Sequence, residues 1–295
     1  MEQPISLEDL FIKRFKSLAP GKAAGGNIKL KSYFIFIIHH TPQRKQKTMQ
    51  RRLLLLIVIF ILPLFSACSL LTPSPRFESD GAEEQLAELS RLNEEVTTFK
   101  GTGSVVITEN GKTQRFRIAW AGAVPDLLRM EILTSATPIE SLAYDGKRLQ
   151  LQSHMGNHSP YAKKIKNPSL EPVTGIPLTL SEIHALLSGK FYVGEFKSAR
   201  LLTSNDGTDT LVLHPDRRHK KTITLDENLL PTGATLTAKG EEVYHIRLTR
   251  KATSTGIYQY KTITLTTAKG IDTTIRIDRM IVNPPVEHDI FTLAP

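Results

Sequence analysis

Cys68 is the one thiol in the chain. A lone cysteine forms no intramolecular disulfide and no cysteine metal cluster. The imidazoles at His154, His158, His184, His214, His219, His245 and His288 are scattered and show no metal-ligand spacing. Glu182-Ile183-His184 is not part of an HExxH pair, and neither GxSxG nor a Walker A run occurs. A serine and a histidine from distant positions still remain open as a pair, since such sites assemble in space. No residue is marked as catalytic, and no metal or other cofactor is implied, so the reading is a non-enzyme. The dense basic run His214 to Lys221 reads as a solvated turn, or as a contact for acidic lipid headgroups.

The elements around Cys68 give its thiol a context. Arg51 and Arg52 precede the apolar run Leu53 to Phe65, and Ser66-Ala67 follow it. A basic start, an apolar middle and a small-residue end make a secretory signal peptide over residues 49–67. The run is shorter than the roughly 20 residues that span a bilayer as a helix. A short membrane anchor with an incidental cysteine is the alternative. Met49 is an ordinary start for such a peptide, so residues 1–48 read as a mis-called N-terminal extension. The alternative there is a true cytoplasmic segment.

This division changes the meaning of the charge. The chain carries +9, but residues 1–48 supply +6 of it and residues 49–67 another +2. Residues 68–295 hold 27 basic and 26 acidic side chains. A nucleic-acid partner, which a basic protein would suggest, is therefore not expected for the folded part.

Residues 68–80, with Pro73 and Pro75, read as a flexible tether, and the folded domain as 81–295. Gly81 to Thr98 has apolar residues at helical spacing, with Asp80 placed to cap it. From Phe99 the period becomes two. Strands are expected at 103–108 and 115–120 around Asn110-Gly111, then at 126–133, 139–144 and 147–152. Residues 156–175 read as loop, and Thr179 to Ser188 as a capped helix ended by Gly189. From Phe196 onward nearly everything alternates, with a turn at Asn205-Asp206-Gly207. About ten or eleven antiparallel strands with a few helices result. A sheet apolar on one face must be covered, and a curved sheet wrapped on a helix does this with one core.

Two resemblances add to this reading. Phe65-Ser66-Ala67-Cys68 resembles the bacterial lipoprotein cleavage box, which implies that Cys68 is acylated and becomes the first mature residue, anchoring the protein to a membrane. An aspartate after that cysteine commonly marks inner-membrane retention in lipoproteins. Ser69 stands there instead, which implies the outer membrane, facing the periplasm, rather than the outer face of the inner membrane.

The domain itself resembles the lipoprotein-localisation factors, the LolA/LolB-like group of periplasmic carrier, outer-membrane receptor and their relatives. The segments that carry the likeness are Val96-Thr97-Thr98-Phe99-Lys100-Gly101, Phe116-Arg117-Ile118-Ala119-Trp120, Leu128 to Leu133, Leu142 to Gly146, Ile176-Pro177-Leu178-Thr179 with its helix, and Asn283-Pro284-Pro285 with Phe291-Thr292-Leu293. The resemblance implies an open, unclosed antiparallel β-barrel with a helical lid. It further implies that Phe116, Ile118, Trp120, Leu128, Met130 and Ile132 line a cavity for the acyl chains of a lipoprotein or a lipid. The plain alternative is that these residues fill a solid core. Partners would be the acylated cargo, the membrane, and a periplasmic carrier or other envelope protein. The group's receptor has an exposed apolar membrane-insertion loop, and the corresponding segment here runs from Leu133 to Ile139. Its Thr134, Ser135 and Thr137 make it less apolar than that role wants. A non-catalytic assembly lipoprotein that uses the sheet as a protein scaffold is the second reading.

Overall fold

A computed structural model describes residues 75–135, 137–204, 208–251 and 256–293. The expected signal peptide with Cys68, the expected N-terminal extension, residues 69–74 of the expected tether and the expected turn at 205–207 lie outside the described residues. Within them, no helix is long and apolar enough to cross a membrane.

Fourteen strands among the described residues build one sheet. The first seven are β1 (Arg76–Phe77), β2 (Thr98–Glu109), β3 (Lys112–Ala123), β4 (Leu127–Thr134), β5 (Thr137–Tyr144), β6 (Arg148–Ser153) and β7 (Tyr161–Lys164). They are followed by β8 (Ser198–Thr203), β9 (Asp209–His214), β10 (His219–Leu225), β11 (Pro231–Ala238), β12 (Glu241–Lys251), β13 (Gln259–Thr267) and β14 (Ile271–Val282). The spatial order is β1-β8-β9-β10-β11-β12-β13-β14-β2-β3-β4-β5-β6-β7. The edges β1 and β7 do not pair, so the sheet is unclosed, as the resemblance implies. The strand number exceeds the ten or eleven expected, and the two edge strands lie in segments read from the sequence as tether and loop. β1 is two residues of the expected tether, paired parallel to β8 through Arg76↔Ser198 and Phe77↔Ala199. β7 lies in the expected loop and is exposed on both faces beyond Tyr161, so it has no apolar alternation to read.

Three helices occur among the described residues: α1 (Ala82–Arg91), α2 (Glu171–Thr174) and α3 (Leu180–Leu187). α1 is shorter than the periodicity predicts, and Asp80 does not cap it. Its N-cap is Gly81 in the left-handed region, without a side-chain bond. The chain leaves the helix at Asn93, whose φ is +53°. That buried amide donates to the Gly189 and Tyr258 carbonyls at 3.0 and 2.7 Å and accepts from the Tyr258 amide at 2.9 Å. One side chain thus ties the ends of α1 and α3 to the entry of β13. α3 follows the sequence reading closely. Thr179 and Glu182 form a reciprocal capping box, and Gly189 turns the chain at φ +77°.

α3 shows how the sheet curves. His184 on this helix bonds to Ala123 at the end of β3, while Glu182 bonds to Lys221 on β10 and Tyr244 on β12. In the sheet order, β3 and β10 are six strands apart. Only a sheet wrapped around the helix brings them to one α3 turn. One continuous core accordingly draws Leu149 and Leu151 from β6, Ala199 from β8 and Leu186 and Leu187 from α3. The outer face is covered locally too. The 3-10 turn His288–Phe291 and Leu293 lie back over β4 to β6, where Arg129 donates to the Ile290 carbonyl and Gln150 exchanges bonds with the Leu293 backbone. This is why Glu140 to Tyr144 of β5 are buried without interruption.

Candidate functional site

The concave face of β2 to β4 divides into a filled end and a hollow end. At the filled end, the Asn110-Gly111 turn sets a register in which Phe99 faces Gly122 and Trp120 faces Gly101. Each aromatic ring lies across the glycine opposite. A Cβ on Gly122 would come within 2.2 Å of the Phe99 ring, and one on Gly101 within 2.3 Å of the Trp120 indole. His184 meets the Phe99 ring edge-on, with centroids 5.0 Å apart. Leu128, fully buried, pairs with Gly122 and completes this packing. Trp120 and Leu128 are therefore core residues, and neither reaches the cavity that the sequence reading gave them.

The other four expected lining residues do come together. Phe116, Ile118, Met130 and Ile132 form one wall of a cavity of about 120 Å³. Val105 and Ile107 from β2, Ile275 from β14 and Leu142 and Leu151 from β5 and β6 extend it. Leu170, Val173 and Ile176, in and around α2, cover it together with Ile183 from α3. Along the strands, burial falls off in one direction: Ile118 is buried, whereas Ile107, Phe116, Met130 and Ile132 are only half-buried. Apolar side chains thus remain partly uncovered at the hollow end. Leu170 and Val173 carry no sequence signal, because α2 is four residues long and has no helical period.

Leu133 and Ile139 do not form a protruding loop. Leu133 belongs to β4 and pairs with Pro138, and Thr134 pairs with Thr137, so the connection is a tight turn. Both residues are half-buried, and the described residues of the turn itself are polar. Strand pairing has absorbed the apolar ends of the segment expected to insert into a membrane.

The lid helix is fixed to the sheet by a buried polar cluster. Lys221 donates to Glu182 at 3.0 Å and to the Tyr192 carbonyl at 2.9 Å, and its ammonium lies over the Phe191 and Tyr192 rings. The Tyr244 hydroxyl donates to the same Glu182 oxygen at 2.8 Å. Burial alone would raise the Glu182 pKa, but the Lys221 charge and the bonds from Thr179, Lys221 and Tyr244 outweigh it and hold the carboxyl low. The Tyr244 phenol is pushed up, first by burial and then by the Glu182 charge. His184 is pushed down to about 4, chiefly by burial, against the opposing bond to Ala123 and with the help of Lys190.

A second hollow of about 480 Å³ lies between the end of α1, Val124-Pro125 and Lys190 to Glu195. It is the larger of the two, and it mixes Leu89, Val124, Phe191 and Val193 with Ser90, Ser181, Lys190 and Glu195, so an alkyl chain there would strip water from charged groups. Among the described residues, no group of three or more histidines or carboxylates is arranged to hold a metal ion.

No protein-family model matches the sequence, and no curated protein matches it. Solved structures do match the fold. The domain is similar to a Vibrio parahaemolyticus protein domain described as an outer membrane lipoprotein-sorting domain (TM-score 0.56, 14% identity, 72% of this chain and 96% of that one). It is similar to a LolA superfamily protein from Nitrosomonas europaea (TM-score 0.52, 14% identity, 72% and 97%). A DUF1329 family protein from Desulfovibrio piger has a TM-score of 0.50 at 10% identity, over 72% and 98%. At these identities the likeness is one of fold. The described domain shares the fold of these structures, one large unclosed sheet curved around a helix.

Proposed function

We propose that the protein is a non-catalytic lipoprotein, anchored through acylated Cys68 to the outer membrane and facing the periplasm, that binds acyl chains in its half-barrel. Through this binding it helps to localise lipoproteins or lipids. The observation that carries the reading is the cavity wall formed by Phe116, Ile118, Met130 and Ile132, on a sheet whose apolar inner face loses its cover at that end. An alkyl chain leaving water gains about 0.8 kcal/mol for each methylene it buries, and such a wall supplies the dry surface. The fold shared with a described lipoprotein-sorting domain agrees with it.

The cavity volume sets a condition on this function. About 120 Å³ is close to the roughly 150 Å³ that takes one benzene ring, so a whole acyl chain does not fit beneath the present cover. Uptake requires Leu170, Val173 and Ile176 to move away from the sheet. The short α2 makes this cheaper than moving α3, which the Glu182–Lys221–Tyr244 cluster holds. Solvent extraction of the purified full chain followed by mass spectrometry tests the reading. A bound acyl species supports it. A protein that stays empty when offered fatty acid or acylated peptide overturns it in favour of the scaffold.

A further inference from the structure

The cavity is not uniformly apolar, and its exceptions are specific. Ile118, Ile132 and Glu140 are aligned across β3, β4 and β5 by the pairs Ile118↔Ile132 and Ile132↔Glu140. Residues directly opposite share a face, so Glu140 continues an apolar row into the cavity wall. It is only 7% exposed. Its Oε2 lies 2.8 Å from His158 Nε2, and the His158 side chain is as deeply buried. Its Oε1 is buried with no hydrogen-bond partner. Thr273 stands in the buried stripe Ile271, Ile275 and Ile277 of β14, lines the same cavity, and has a buried hydroxyl without a partner. Two of the four unpartnered buried side-chain atoms among the described residues thus belong to residues lining this one cavity.

The polarity of the Glu140 oxygen follows from its neighbours. His158 Nδ1 lies 2.9 Å from the Ser159 carbonyl, which only accepts, so Nδ1 carries a hydrogen. One proton then lies between Nε2 and Oε2. On nitrogen, the pair is imidazolium and carboxylate; on Oε2, it is imidazole and carboxylic acid. In both cases Oε1 is an acceptor that lacks a donor. An ionisable pair buried in an apolar wall is costly compared with two apolar side chains of the same size, and an unsatisfied oxygen adds to that cost.

We infer that Glu140 selects the ligand: the cavity takes an alkyl chain whose head carries a hydrogen-bond donor, an amide N–H or a hydroxyl, which it donates to Glu140 Oε1. The inference rests on the acyl-binding reading and narrows it to a ligand class. An amide-linked acyl chain or a hydroxylated lipid satisfies the site, whereas a chain linked only through an ester leaves the oxygen unpaired.

Displacement of a fluorescent acyl probe from the purified full chain tests it. N-methyl lauramide and methyl laurate differ by one N–H replaced with oxygen, and lauryl alcohol and its methyl ether differ by one O–H. In at least one pair the donor-bearing compound is expected to bind about tenfold tighter or more, as for a buried acceptor otherwise left without a donor. The pair that shows the preference identifies the source, amide or hydroxyl. In Glu140→Leu the preference falls to within about twofold while the ester and ether still bind. Equal affinity within both pairs on the unaltered protein overturns the inference and leaves acyl binding standing. This comparison needs no variant to fold. If the probe binds but none of the four displaces it, the inference is overturned and acyl binding stands; if the probe itself does not bind saturably, acyl binding fails and the inference fails with it. A preference that survives in a folded Glu140→Leu variant also overturns it.

Discussion

Replacing His184 with leucine isolates the pH dependence that one buried imidazole gives to the lid. His184 is 4% exposed, donates through Nε2 to the Ala123 carbonyl at 3.1 Å, and packs edge-on against Phe99. Burial first, with Lys190 assisting, lowers its pKa from the ordinary 6.5 to about 4. The unfolded chain therefore takes up a proton near pH 6.5, and the folded chain only near 4. Between those values the unfolded state holds more protons, so stability falls as the pH drops. The full window is worth roughly 3 kcal/mol, and about 2 kcal/mol of that is lost by pH 5. Leucine keeps the apolar volume and cannot titrate. At pH 8 the variant should be less stable by about 1 kcal/mol or more, because the Ala123 carbonyl loses its donor. At pH 5 that gap should close or reverse. Urea unfolding at both pH values, with free energies extrapolated to water, measures it. An equal loss of stability in both proteins between pH 8 and pH 5 would refute the burial argument.

Other consequences follow from the same geometry. Lys221→Met strands the Glu182 carboxylate against Tyr244 and Thr179 and should cost about 3–5 kcal/mol in urea unfolding, with the Lys221→Met, Glu182→Met pair costing less than the single change. Because Glu182 is held below its ordinary 4.5 in the fold, its contribution is complete above that value and is lost as the pH falls beneath it, so the acid limb should flatten in the double variant. Gly122→Ala drives a methyl into the Phe99 ring and should lower stability by roughly 1–3 kcal/mol, with the lost near-ultraviolet circular dichroism of Trp120 as a local readout. Cys68→Ala should move the protein from the membrane fraction to the soluble one, and unchanged fractionation would count against acylation.

Much of the half-barrel is legible from alternation alone, because one face of each central strand is apolar. Tyr244, Ile246 and Leu248 are buried as their spacing demands, and the α3 capping box is written in Thr179 and Glu182. The edges are not legible, since β1 is two residues and β7 has no buried face. The division between core and cavity was accessible in principle. The Asn110-Gly111 turn pairs Glu109 with Lys112, and carrying that register inward sets Trp120 against Gly101 and Phe99 against Gly122. Glycine opposite an aromatic marks a seat for a ring, which is why Trp120 fills space where Phe116 borders it. Asn93 gave no such signal. Its partners Gly189 and Tyr258 lie far along the chain, and only the folded sheet brings them together. The pairing of Glu140 with His158 was hidden for the same reason, since His158 sits in a loop that no periodicity locates.

In the proposed function, the hollow end of the sheet, and not its filled end, receives an acyl chain. Titration of a fluorescent acyl probe into the full chain, into Met130→Trp and into Trp120→Phe tests it most directly. Met130 lines the cavity and Trp120 does not. The predicted result is saturable binding that Met130→Trp abolishes and Trp120→Phe leaves within about threefold. Binding unchanged in a folded Met130→Trp variant, or no saturable binding to the unaltered protein, would contradict it.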